Sequence, residues 1–120
     1  MRIAVTSQGT DLTNKVDPRF GRALYFLVFD TTDESLEVVE NSQNVNAAQG
    51  AGIQAAENIA RKNVDLVVAG NFGPKAFRAL EAAGIKAALW TDGTVSEAIE
   101  LARSDKLKIC GKANVEGHWM

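Results

Sequence analysis

The residues best suited to chemistry in this chain are cations and backbone amides rather than nucleophiles. Asp17-Pro18-Arg19-Phe20-Gly21-Arg22 places guanidiniums on both sides of an aromatic ring and a glycine, in a stretch without hydrophobic periodicity. At that spacing the two side chains can grip an anion through forked, charge-assisted hydrogen bonds. The competing reading is a solvated turn whose Phe20 plugs a sheet edge. A second candidate lies where the apolar run Val64 to Ala69 breaks at Gly70-Asn71-Phe72-Gly73-Pro74. A strand covered on both faces loses its polar alternation, and Pro74 suits the first turn of a following helix. Backbone N–H groups around Gly73 and Lys75 would then face outward at a helix start, a geometry that favours anions. Phe72 fits the core equally well. Gly50-Ala51-Gly52 opens a third candidate segment; a tight helix start suits these residues better than an anion cradle.

Ligands and catalytic sets are scarce. Cys110 is the one cysteine, so the chain forms no internal disulfide and no Cys-x-x-Cys knuckle. Its neighbours Leu107 and Ile109 suit a small buried hydrophobe. His118 is the one histidine, in the string Val115-Glu116-Gly117-His118-Trp119-Met120, where a surface role is the plain reading. Cys110 and His118 are nevertheless the candidate metal ligands. No Ser-His-Asp or Cys-His set, paired carboxylates or nucleotide-binding glycine string is present. A hydrolase built on the Asp92 region would rest on no constellation, and the expectation is a protein without catalytic activity.

The elements that must position these groups follow from the apolar pattern. Arg2–Ser7 reads as a strand, Gln8–Arg22 as a long loop, and Ala23–Asp30 as the strongest strand of the chain. Leu36–Asn41 alternates, with Leu36 and Val38 expected inward and Glu37 and Glu40 outward; Thr31–Ser35 closes the hairpin. After the polar connector Ser42–Gln49 the period becomes helical, with Ile53, Ala56, Ile59 and Ala60 on one face of Gly50–Asn63. The strand Val64–Gly70 leads to a helix with Ala76, Phe77, Leu80 and Ala83 inward, stopped by Gly84 in a left-handed cap. Ile85–Trp90 is another buried strand. Thr94-Val95-Ser96-Glu97 has the form of a capping box for a helix with Val95, Ala98, Ile99 and Ala102 inward. Leu107–Met120 reads as a short strand or tail.

Short strand-helix-strand connections make parallel neighbours, whereas hairpins make antiparallel ones. The α/β arrangement satisfying both is a mixed five-stranded sheet of order 3-2-1-4-5, strand 2 antiparallel, with helices on both faces. That is a three-layer, ribonuclease-H-like architecture whose switch point lies between strands 1 and 4, where open α/β sheets bind ligands. Nuclease chemistry is not expected, because Ile3-Ala4-Val5-Thr6 carries no carboxylate and Asp65 falls at the wrong end of its strand.

Composition bounds the class. At 120 residues the chain is expected to form one domain, 1–120, able to bury a core without disulfides or structural metal. Hydrophobic residues make up 46%, charged residues 23%, and the formal net charge is −2, which exerts no pull toward nucleic acid or an anionic membrane. Attraction for an anion must be local. The absence of a signal-type apolar segment at Met1-Arg2-Ile3-Ala4-Val5, and of any membrane-length run, leads us to expect a cytoplasmic protein.

Taken in order, Ile3-Ala4-Val5-Thr6, Asp17-Pro18-Arg19-Phe20-Gly21-Arg22-Ala23, Gly50-Ala51-Gly52-Ile53-Gln54-Ala55-Ala56, Val67-Val68-Ala69-Gly70-Asn71-Phe72-Gly73-Pro74 and Gly84-Ile85 resemble the dinitrogenase iron-molybdenum-cofactor biosynthesis accessory family. The resemblance spans nearly the whole chain. It implies a ribonuclease-H-like carrier of anionic metal-sulfur clusters, either nitrogenase cofactor precursors or, in small stand-alone members, a molybdenum-copper sulfide cluster. Partners would be cluster-assembly or acceptor proteins. In the cofactor-carrying branch the loop before Phe-Gly often presents a histidine; this chain has Arg19, which neutralises a sulfide-rich anion without ligating a metal.

The resulting expectation is cluster capture by Arg19, Phe20, Gly21, Arg22, Asn71, Phe72 and Gly73. The arginines would supply charge, the amides near Gly73 hydrogen bonds, and Phe20 with Phe72 a partly dry wall. Cys110 or His118 would add at most one bond. The alternative is a regulatory or interaction module that binds a protein partner or small organic anion in the same crevice.

Overall fold

A computed structural model describes residues 1–41 and 50–111. In chain order its elements are β1 (Arg2–Ser7), β2 (Tyr25–Asp30), β3 (Leu36–Glu40), α1 (Ala51–Ala60), β4 (Leu66–Ala69), α2 (Pro74–Ala82), β5 (Lys86–Leu89) and α3 (Val95–Arg103). The aromatic and β-branched run of β2 pairs antiparallel with β1, from Arg2 opposite Asp30 to Ser7 opposite Tyr25. β3 returns antiparallel on β2, while β4 lies parallel to β1, and β5 parallel to β4. The sheet order is β3-β2-β1-β4-β5, the mixed order expected from the connections.

Side-chain alternation divides the sheet between two cores. Ala4, Phe26, Val28, Val67, Ala69 and Ala87 face α1 and α2, which contribute Ala55, Ala56, Ile59, Ala76 and Leu80. Their neighbours Ile3, Val5, Leu27, Leu66, Val68 and Ala88 face α3, with Val95, Ala98, Ile99 and Ala102. Coverage on both faces is why these strands read as unbroken apolar runs.

Helix ends follow local chemistry. Gly84 adopts φ 75°, and the Gly84 and Ile85 N–H groups donate to the carbonyls of Glu81 (3.0 Å) and Leu80 (2.9 Å). Such paired back-bonding satisfies carbonyls at the end of α2, and Ile85 packs in the same core as Leu80. At the start of α3, Thr94 Oγ1 accepts the Glu97 N–H (3.2 Å), and Glu97 Oε1 accepts the Thr94 N–H (2.9 Å). This is the expected capping box.

Three expected burials are corrected. Leu36 and Val38 are 39% and 41% exposed. They lie opposite Phe29 and Leu27, on the α3 side of the sheet, but α3 packs over β1 and leaves the edge strand uncovered. Val39 points the other way and packs against the α1/α2 core. Ala83 is exposed because it caps α2 and lies beyond the buried stripe. At the far edge, Ile109 bridges antiparallel to Ala88, and the Cys110 N–H donates to the Ala87 carbonyl at 2.7 Å. The expected terminal strand is thus a single bridge within the described residues; His118 lies outside them.

Candidate functional site

The loop after β1 is built into the sheet by its backbone. The Asp17 N–H donates to the Thr6 carbonyl at 2.9 Å, and the buried Thr6 hydroxyl donates back to the Asp17 carbonyl at 2.6 Å. From β4, the Gly70 N–H donates to the Pro18 carbonyl at 3.1 Å, and Arg19 bridges in parallel to Asn71. The polar first half of the loop binds elsewhere: the Asn14 and Leu12 carbonyls accept from Val95 and Ser96 at the start of α3. The long unpatterned segment is therefore ordered by main-chain bonds that have no sequence signature.

Close approach then draws two helix starts against this loop. A Cβ on Gly21 would lie 2.9 Å from both Cα and N of Gly52, and one on Gly52 would lie 2.7 Å from Cβ of Ala76. Only glycine permits contacts this close at both positions. Loop, α1 and α2 thereby meet at one place. On the far side of the loop the Asn41 side-chain amide donates to the carbonyls of Ala23 (2.8 Å) and Gly21 (3.3 Å). Phe20, 1% exposed, anchors the turn with its ring 5.2 Å from Phe72 and 5.4 Å from Phe26.

Between these three elements lies an open cleft of about 520 Å³. Arg19, Phe20, Gly21 and Arg22 line it from the loop, Gly50 to Ile53 from α1, and Asn71 with Gly73 to Ala76 from α2. Of the residues expected at the site, six line the cleft. Phe72 does not, and Phe20, although it reaches the lining, is 1% exposed against 0% for Phe72, so the two rings anchor the loop in the core and the expected aromatic wall is not open to the cleft. The Gly50-Ala51-Gly52 segment combines its two readings, since the same glycines that permit tight packing also form cleft wall.

Two residues join the site that sequence reasoning used otherwise. Ile53, expected in the core stripe of α1, is half-buried on the cleft wall, while Ala55 takes the buried position. Lys75, considered only for its amide, brings an exposed side chain to the same cleft. Its place on the second residue of a helix begun by Pro74 was the available signal.

Among the described residues, the charged ones that line the cleft are all cations. Three cationic residues, Arg19, Arg22 and Lys75, line the cleft. Both helix starts that border it, capped at Gly50 and Gly73, lack any side-chain cap, whereas α3, away from the cleft, is fully capped. Uncapped first-turn N–H groups carry partial positive charge. The carboxyls held below their usual range lie elsewhere: Asp30 by the Thr32 N–H, Asp33 by Ser35, Glu37 by Lys62 and Glu97 by the Thr94 N–H. Cations plus unused N–H groups bind anions without supplying a metal ligand.

Among the described residues no group of three or more His, Cys, Asp and Glu side chains is placed to hold a metal. Cys110 lines a separate depression of about 190 Å³ with Phe77, Glu81 and Lys86. Its bond to Ala87 holds it near the start of β5, whereas the cleft lies past the ends of β1 and β4.

The model for the family described as dinitrogenase iron-molybdenum cofactor matches residues 1–105. The chain belongs to this family. Among solved structures, this family member is similar to the apo form of the orange protein from Desulfovibrio gigas, at 39% identity and TM-score 0.92, covering 95% of this chain and 96% of that one. It is also similar to a putative NifB protein from Thermotoga, at 38% identity and TM-score 0.85, covering 97% and 98% of the two chains. An uncharacterised protein of Methanocaldococcus jannaschii is 29% identical over 98 residues, 79% of this chain and 82% of that relative. No helix among the described residues is long and apolar enough to cross a membrane.

Proposed function

We propose that this family member is a non-catalytic, cytoplasmic carrier that captures an anionic metal-sulfur cluster in the cleft between the Arg19–Arg22 loop and the starts of α1 and α2. The observation that carries the reading is the convergence of three cations and two uncapped helix starts on one cleft. Capture is electrostatic: Arg19, Arg22 and Lys75 neutralise the anion, backbone N–H groups of Gly52 and Lys75 meet its outer atoms, and Ile53 gives an apolar wall. A cluster with a sulfide exterior suits such a wall, because sulfide is more weakly hydrated than oxide and loses less on leaving water.

The family and the likeness to the orange protein support a cargo of the iron-molybdenum precursor or molybdenum-copper sulfide type, exchanged with cluster-assembly or acceptor proteins. We also read residues 1–120 as one domain of ribonuclease-H-like arrangement, on the strength of the sheet order and its two covered faces. The test is reconstitution with tetrathiomolybdate plus copper, followed by size exclusion. Visible absorbance should co-elute with the protein and be reduced at least about tenfold in Arg19→Ala/Arg22→Ala. Colour that never co-elutes, or that the double variant retains in full, defeats the proposal.

A further inference from the structure

One titratable group beside the cleft is buried and opposes its charge. The Asp17 side chain is only 4% exposed, and its Oδ1 accepts the Arg19 backbone N–H at 2.9 Å while lying 3.5 Å from Arg19 Nε. A carboxylate so close to a cationic rim weakens the attraction for an anion. Its position therefore calls for an offsetting function, and the contact geometry supplies one.

Asp17 stands on a fixed base. Its N–H and carbonyl are both bonded to Thr6, and the next carbonyl, of Pro18, is bonded to the Gly70 N–H. From that base the carboxylate engages Nε, the inner nitrogen of the guanidinium; among the described residues the terminal nitrogens Nη1 and Nη2 have no partner. The Arg19 side chain is otherwise 60% exposed. A long side chain at that exposure samples many rotamers, and gripping a ligand then costs the entropy of ordering it.

We propose that Asp17 is a positioning residue for anion capture: it tethers Arg19 through Nε and presents the two terminal nitrogens to the cleft as a preformed fork. The inference rests on the carrier reading above. Asp17→Ala removes the Oδ1 that accepts both the Arg19 backbone N–H and its Nε–H, and with it the opposing charge, with contrary effects on affinity. A double-mutant cycle separates them, because the general charge effect cancels between its arms.

With tetrathiomolybdate as probe, Arg19→Ala should weaken binding about tenfold in the unaltered protein and no more than about threefold in the Asp17→Ala background. Equal losses in both backgrounds overturn the proposal. In the ligand-free protein, nitrogen-15 NMR should give a resolved, slowly exchanging Arg19 Nε–H signal, identified by its loss in Arg19→Ala and absent in Asp17→Ala. A signal already lost to solvent exchange in the unaltered protein also overturns the tether. No uptake of probe by the unaltered protein defeats the carrier reading instead, and the Nε–H signal then still decides whether the tether exists.

Discussion

Gly70 closes β4 at the point where the chain passes under Pro18, and a Cβ there would lie 2.9 Å from Cα and O of Pro18 and 2.5 Å from Thr91 Cγ2. Backbone on one side and a branched side chain on the other leave little room to yield. Gly70→Ala should therefore cost about 1–3 kcal/mol of unfolding free energy, measured by denaturant titration, and also weaken anion capture, because the displaced segment carries Arg19. Gly73, whose Cβ would meet nothing within 4 Å, is the control, and Gly73→Ala should cost little. An equal stability loss at both positions would show that close packing at Pro18 is not what places Arg19. At this scale the loop offered two readings of equal weight, an anion grip and a turn plugged by Phe20, and the structure shows features of both: Phe20 is buried, and Arg19 and Arg22 line the cleft. Lys75 and Ile53 were not legible. One reads as helix surface and the other as helix core, and only the close seating of Gly52 on Gly21 and Ala76 turns both toward the same cleft.

Among elements, the topology was readable because hairpin and crossover rules leave one simple order for the observed succession of strands and helices. The exposed side of β3 was not, since alternation separates two faces without saying which one a helix covers. The capping box of α3 was readable in full, because its chemistry is contained within four residues. Its consequence is a pH dependence. The Glu97 carboxyl is held below its usual range chiefly by the Thr94 N–H. A carboxylate with a depressed folded pKa contributes stability that is fully present above the unfolded value, near 4.5, and disappears as pH falls through the folded one. Glu97→Gln should leave acid unfolding less steep below about pH 4.5, where the depressed group takes up its proton. Thr94→Ala, which removes the cap oxygen itself, should cost about 1 kcal/mol near neutral pH. Thermal midpoints taken from pH 7 to 3 read both effects, and identical slopes for Glu97→Gln and the unaltered protein would remove the charge from the account of the cap.

Across the whole molecule, charge of one sign is spent where the formal sum hides it. The chain is net −2, yet Arg19, Arg22 and Lys75 stand together at one cleft while Asp30, Glu37, Arg2 and Lys62 pair with one another at the opposite end of the sheet. The formal sum is thus silent on anion binding, and the fold adds Lys75 to the two arginines that the sequence already placed together. This separation makes a measurable demand on how cargo is held. A cluster retained by field and N–H groups is screened by salt, over a Debye length of about 10 Å at 0.1 M, whereas one bonded through a thiolate is not. Tetrathiomolybdate affinity should therefore fall on the order of tenfold between about 50 and 500 mM NaCl, while the thermal midpoint of the protein moves little. Lys75→Ala, an exposed change, should preserve the midpoint and make that salt dependence shallower. Cys110→Ser should alter neither, because the thiol lies in a different depression. Affinity indifferent to salt but lost in Cys110→Ser would move the cargo from the cleft to the edge of β5, and the electrostatic account would fail with it.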